Sequence, residues 1–148
     1  MATVLQANIT HLEDIVPLFN EYRIFYGMES DENAARTFLK ERIIKEESII
    51  FLAYQDVNAI GFTQLYKTFS SVSLQGFFIL NDLYVNEGHR KNNVGEALLE
   101  KAKSYCKMMN YKGLALETAT DNPAQKLYEK LGWKKDDHCF HYFWMAKS

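Results

Sequence analysis

The fold class this chain predicts is an α/β (α+β) layered domain, with a mixed, mostly antiparallel sheet of roughly six to seven strands and about four helices. Three observations predict it. Stretches of helical period alternate with runs of β-branched and aromatic residues, giving the order β-α-α-β-β-β-α-β-α-β. The 148 residues suit one ordinary domain, so residues 1–148 are read as a single unit. No internal repeat or Pro/Gly-rich linker interrupts them, and proline stands only at Pro17 and Pro123.

The elements follow in order. TVLQAN is a short strand, and Thr10 with Glu13 forms the outline of a capping box ahead of the first helix. Leu12, Ile15, Phe19, Tyr22 and Tyr26 then share one face of that helix. A second helix runs from about Asp31 to Glu46 on Ala35, Phe38, Leu39 and Ile43. SIIFLAYQ, AIGFTQLYKTF and SLQGFFILNDLYV read as an antiparallel meander with turns near Asp56-Val57-Asn58 and Ser70-Ser71. From Asn93 the period becomes helical through Val94, Ala97, Leu98, Lys101, Ala102 and Tyr105. LALETA is a strand, expected to pair parallel with LNDLYV through that crossover helix. Asn122 and Pro123 open a last helix that Gly132 stops, and CFHYFWMA is a final aromatic strand.

Composition narrows the function classes. Apolar residues make up 47% and charged residues 24%, within the soluble range, and a formal charge of -2 argues against a nucleic-acid partner. The N-terminus MATVLQANITHLEDIV has no basic segment followed by an apolar run, and no stretch is long enough to span a membrane. A cytoplasmic location without membrane partner is the expectation. Cys106 and Cys139 form no CxxC pair, and His11, His89, His138 and His141 show no ligand spacing, so no metal is expected. The aromatic run CFHYFWMA points to a homodimer, with packing in the chain's own core as the alternative.

Two stretches carry chemistry. In NDLYVNEGHRKNNVGEALL a strand enters a loop with Gly88, Asn92, Asn93 and Gly95 and then a helix, whose first amides and positive dipole end can hold phosphate. A solvated loop before a surface helix has the same outline. In DNPAQKLYEKLGW a capped amphipathic helix turns Ala124, Leu127 and Leu131 inward and carries Tyr128 beside them. Together, V-x-x-x-x-R-x-x-N-x-G-x-x-L-L and N-x-x-A-x-x-L-Y-x-x-x-G-W resemble the GNAT superfamily of acetyl-CoA-dependent N-acetyltransferases. The resemblance is strongest from Asn81 to Trp133. It departs from the family pattern where Asn93 replaces a glycine and Lys91 occupies a position that is often glycine.

The resemblance implies roles for these residues. Leu83, Tyr84 and Val85 are similar to the splayed strand that pairs its backbone with the pantetheine arm of acetyl-CoA, the expected cosubstrate. Arg90, Lys91, Asn92, Asn93, Val94, Gly95 and Glu96 resemble the pyrophosphate loop, and Asn122 the asparagine that contacts the cofactor arm. Tyr128 resembles the general acid that protonates the leaving thiolate, and the Leu83 N–H suits the developing oxyanion.

An amine near pKa 10.4 is mostly protonated at neutral pH, so a base is also needed. Asp82 and Glu117 are the candidates, on the two strands expected to flank the site. Period-two alternation sets Asp82 and Tyr84 opposite Asn81, Leu83 and Val85. Asn81 stands where some polyamine acetyltransferases of the superfamily carry a glutamate. A buried structural carboxylate is the other reading of Asp82.

Tyr22, Tyr26, Glu29, Asp31 and Glu32 offer an aromatic and acidic pocket that suits a cationic small-molecule amine such as a polyamine, though a charge run is also commonly a solvated face. The expected reaction is acetyl transfer to a primary amine in a ternary complex. A protein or peptide acceptor and a silent acyl-CoA-binding module are the alternatives. Asn93 is expected to keep the left-handed turn and cap the helix with its side chain.

Overall fold

Five segments zip into one sheet: β1 (Thr3–Gln6), β2 (Ser48–Gln55), β3 (Asn58–Ser70), β4 (Gln75–Val85) and β5 (Leu114–Ala115), in that spatial order. The structure is a computed structural model describing residues 2–147, which divide into two compact units between Glu117 and Thr118. In the first unit β1 to β4 pair antiparallel, and β5 joins β4 in parallel. The β2–β3 hairpin closes through the expected turn, with Asp56 left-handed at φ 55°.

Helices α1 (Leu12–Phe25) and α2 (Glu32–Ile44) cover one face of the sheet. Their apolar stripes bury Ile15, Val16, Phe19, Ala35 and Leu39 against Ile50, Leu52, Phe62 and Tyr84. Each fully buried aliphatic chain there contributes about 1.5–3 kcal/mol. Helix α3 (Val94–Met108) covers the opposite face, with Tyr105 packed on Phe51 and Phe78, and Leu98 against Gly61. Successive strand residues point to opposite faces, so Phe51 turning to α3 while Ile50 and Leu52 turn to α1 and α2 is the pleat at work.

Local chemistry sets the boundaries. The Asp31 carboxylate accepts the Ala34 N–H at 3.0 Å and starts α2 as a cap. The expected Thr10–Glu13 box does not form. Asn8 instead accepts the Thr10 N–H at 2.9 Å, and the His11 ring accepts the Asn8 N–H at 2.9 Å, around a single 3₁₀ turn before Leu12. That turn displaces Glu13 into the helix, where it forms a two-pronged ion pair with Arg36 at 2.8 and 2.9 Å.

Three strand expectations are corrected. The sheet has five strands among the described residues rather than six to seven. LALETA yields only Leu114–Ala115, paired with Phe78 and Ile79 and not with LNDLYV. The physical reason is a β-bulge at Asn81: β4 bends there, and a parallel neighbour cannot follow a strand that changes direction. CFHYFWMA is no strand, and its Phe140, Tyr142, Phe143 and Trp144 side chains are exposed, Trp144 at 84%. An all-apolar run fixes neither face nor partner, and strand propensity is realised only where cross-strand packing exists.

The second unit contains α4 (Gln125–Lys130). Asn122 Oδ1 accepts the Ala124 N–H at 2.9 Å, closing a turn just ahead of the helix, so the expected cap acts one turn early. Gly132 at φ 92° ends the helix in a Schellman motif. The Gly132 N–H reaches Glu129 O and the Trp133 N–H reaches Tyr128 O, at 3.1 and 3.0 Å.

Candidate active site

Gln64 pairs with Asp82 and Leu65 with Leu80, so Asn81 is the extra residue of the bulge. The extra residue resets the alternation of β4. Upstream, Phe78 and Leu80 are buried and Phe78 meets α3; downstream, Tyr84 packs with the α1/α2 core. The expected opposition of Asp82 to Asn81 therefore fails. The Asn81 amide turns beside its neighbour and donates to Asp82 Oδ1 at 2.7 Å.

Asp82 is 2% exposed at the centre of the sheet. Gln64 Nε2 donates to its other oxygen, and the Thr63 hydroxyl donates to its carbonyl at 2.7 Å. Burial pushes the Asp82 carboxyl above the usual carboxylate range, partly offset by hydrogen bonds from Asn81, Gln64 and Tyr22. Tyr66 is pushed up to about 12 by burial and then by the Asp82 charge. Gln64 Oε1 is buried with no hydrogen-bond partner among the described residues. Thr63, Gln64 and Tyr66 were missed from the sequence; two adjacent polar residues inside the apolar strand AIGFTQLYKTF were the available signal.

Helix α1 builds an aromatic wall over this carboxylate. Tyr22 donates to Asn81 O at 3.2 Å, and its ring lies 5.0 Å from Tyr26 and 6.3 Å from Tyr84. Burial raises the Tyr84 hydroxyl, as does the Glu21 charge, against the opposing Arg90 guanidinium. Arg90 lies over Phe25 and Tyr84, 5.8 and 5.5 Å from the ring centres, and its Nε donates to Val85 O at 2.9 Å. The structure thus gathers Tyr22, Tyr26, Asn81, Asp82, Tyr84, Val85 and Arg90. Glu29 sits exposed in the α1–α2 link and Asp31 is spent as a helix cap. Glu117 lies exposed beyond the end of β5, so it is not on a strand flanking Asp82 as expected.

The edge of β4 and the loop after it have the features of a carrier-arm site. The Asn86 N–H bonds Ile60 O at 2.8 Å, so antiparallel alternation aims the Leu83 and Val85 amides at the other edge, where among the described residues no strand pairs with β4 past Ile79. In the loop Lys91 and Asn93 both adopt the left-handed backbone, at φ 68° and 62°. These are the two positions where the family pattern favours glycine. Asn93 O accepts the Ala97 N–H at 3.0 Å, the first intrahelical bond of α3, so the amides of Val94 and Gly95 stand ahead of it at the positive end of the helix. Asn93 keeps the turn, but its side chain makes no cap hydrogen bond, against expectation.

In the second unit Tyr128 is half-buried, its ring 6.0 Å from Trp133 across the Schellman turn. Contact between those two helix-end positions commonly accompanies the motif, which gives L-Y-x-x-x-G-W a structural cause.

A strand with an unzipped edge feeding a left-handed loop and a helix start is an arrangement able to take an extended arm and a phosphate. The profile of the acetyltransferase (GNAT) family matches residues 12–133, and the chain belongs to that family. It is an acetyl-CoA-dependent N-acetyltransferase. An uncharacterized N-acetyltransferase of Bacillus subtilis, YhfO, is 44% identical over 140 residues, 94% of each chain. The crystal structure of a probable acetyltransferase superposes with a TM-score of 0.93 at 39% identity, covering 99% of both chains. An aminoglycoside N-acetyltransferase in complex with CoA shares the fold, with a TM-score of 0.81 at 20% identity over 99% of this chain and 96% of its own.

Proposed function

We propose that the enzyme transfers acetyl from acetyl-CoA to a primary amine of a small cationic molecule, a polyamine or amino compound, by direct attack in a ternary complex. The single observation that carries the acceptor reading is the buried Asp82 carboxylate beneath Tyr22 and Asn81. An anionic floor under aromatic rings favours a cation. The name of the CoA-bound neighbour, an aminoglycoside N-acetyltransferase, is in keeping with a small-molecule acceptor. Because the family profile runs across both units, residues 1–148 are read as one catalytic domain. A cytoplasmic homodimer remains part of the proposal.

The residues present fit acetyl-CoA. Lys91, Asn92 and Asn93 form the cradle for the pyrophosphate together with the amides of Val94, Gly95 and Glu96, and the open edge at Leu83 and Val85 receives the pantetheine amides. Asn122 is assigned to the same arm by its motif position. Bound acetyl-CoA supplies an activated acyl thioester.

The Leu83 N–H stabilises negative charge developing on the acyl oxygen. Asp82, with its raised affinity for protons, takes the proton of the attacking amine through the Tyr22 hydroxyl or a bridging water, since its own surface is almost closed. It is preferred to Glu117, which is exposed and off the strand. Tyr128 returns a proton to the leaving sulfur, an assignment that rests on its motif.

Free-thiol release over a panel of amines and lysine peptides tests this reading. A diamine or polyamine should be turned over well ahead of a peptide, and Tyr128→Phe should lower kcat by roughly tenfold or more with CoA affinity by calorimetry retained. A peptide preference would overturn the acceptor class, and full Tyr128→Phe activity would return Tyr128 to helix-end packing.

A further inference from the structure

The acceptor wall and the cofactor loop belong to different elements, yet one carboxylate ties them. Glu21 lies on α1 directly before Tyr22. Asn86, the first residue past β4, donates its side-chain N–H to Glu21 Oε1 at 3.3 Å. The same carboxamide accepts the Gly88 N–H at 3.1 Å, and the His89 ring lies 3.4 Å away. The Asn86 N–H is itself held by Ile60 O at 2.8 Å, so the loop end of the tie is anchored in the sheet. A second bond runs parallel to it, where Arg90 spans Phe25 of α1 and Val85 O of β4.

We infer that Glu21 is a positioning residue: through Asn86 it locks α1 to the start of the cofactor loop, and so sets Tyr22 and Tyr26 over Asp82 in register with the bound carrier. This rests on the acetyltransferase reading above. Arg90 holds the neighbouring turn of α1 from the same loop, which is why its side chain folds back onto Val85 and the rings rather than out to the phosphate cradle. Loop and acceptor wall consequently move as one body. Glu21 acts here as the hydrogen-bond acceptor of Asn86, so in this role its oxygen rather than its charge is the working feature.

That distinction makes the test sharp, because glutamine keeps an oxygen able to accept the Asn86 N–H while alanine does not. With the best amine of the panel, Glu21→Ala should raise the KM for amine about fivefold or more and leave the KM for acetyl-CoA within about twofold, while Glu21→Gln stays near wild type. Equal damage from Gln and Ala would mean that the charge binds the cation directly, and an unaffected Ala variant would mean that the tie is idle. Either overturns the inference.

A readout without turnover separates this from failure of the acetyltransferase reading. In wild type and Glu21→Gln, saturating CoA should slow amide exchange across residues 20–26 of α1, and in Glu21→Ala it should not. If calorimetry shows CoA bound and α1 exchange unchanged in wild type, or slowed equally in Glu21→Ala, the coupling is absent. If calorimetry shows no CoA bound, the cofactor reading falls and the coupling with it.

Discussion

Upstream of Asn81, β4 is scaffold; downstream of it, in the proposed function, the same strand carries the chemistry. Phe78 and Leu80 are each 3% exposed, Phe78 packs on Tyr105 and Tyr111, and the Phe78 N–H bonds Gly113 O at 3.0 Å on the β5 side. Past the bulge the strand buries a carboxylate instead of a phenyl ring, and its edge is left unzipped. One inserted residue makes the difference. It turns Asn81 onto Asp82, and the parallel pairing stops at Ile79, two residues ahead of it.

The largest effect that can break this contrast is expected upstream. Phe78→Ala removes a ring packed on both Tyr105 and Tyr111 and should cost about 3–5 kcal/mol of stability, read by denaturant unfolding, with both KM values of the surviving folded enzyme unchanged. A changed KM would show that the two halves of β4 are not separable.

Downstream the signature should invert. Asp82→Asn should lower kcat/KM by about a hundredfold while stability stays within about 1 kcal/mol at neutral pH, since relief of a buried charge offsets one mismatched donor. The pH dependence sharpens it. The folded carboxyl is raised above its unfolded value, so the native state binds more protons between the two, and stability declines as pH rises from about 4 through the raised value before levelling. Asp82→Asn should flatten that decline in a series of thermal melts, and flatten the acid limb of kcat/KM with it.

The smallest effects belong to the loop. Asn93→Gly and Lys91→Gly keep left-handed backbones that glycine adopts without strain, so each should change stability by less than about 1 kcal/mol and retain or tighten CoA binding by calorimetry. A clear loss at position 93 would mean that its side chain contributes after all.

These contrasts also show what a chain can announce about itself. The helices, the meander, the parallel partner of β4 and the left-handed stop at Gly132 were legible, because each rests on local periodicity or on one residue's backbone preference. The left-handed backbone of Asn93 was legible for the same reason, whereas its expected side-chain cap does not form. The bulge was not. Two-residue alternation runs through FFILNDLYV without a break, and only the pairing with β3 reveals that Asn81 has no opposite number. The surroundings of Asp82 were half legible: Asp82 stood out, whereas Gln64, which bonds it, and Tyr66, which feels its charge, lie on another strand and come near only once the register is set. Glu21 carried no signal at all, being one acidic residue on an amphipathic helix. The final aromatic run misled for the opposite reason, as strong propensity without a pattern to name a face.

Deleting Asn81 tests the central claim most directly. Leu65 already opposes Leu80 and Gln64 already opposes Asp82, so the shortened strand joins two segments whose registers agree and whose side chains keep their faces. Thiol release with the best amine should fall at least about a hundredfold and calorimetric CoA affinity should weaken as the edge that receives the pantetheine closes, while far-ultraviolet dichroism remains close to wild type. If the deletion variant keeps kcat/KM within about twofold of wild type, the bulge does not make the site and the division of β4 drawn from it is wrong.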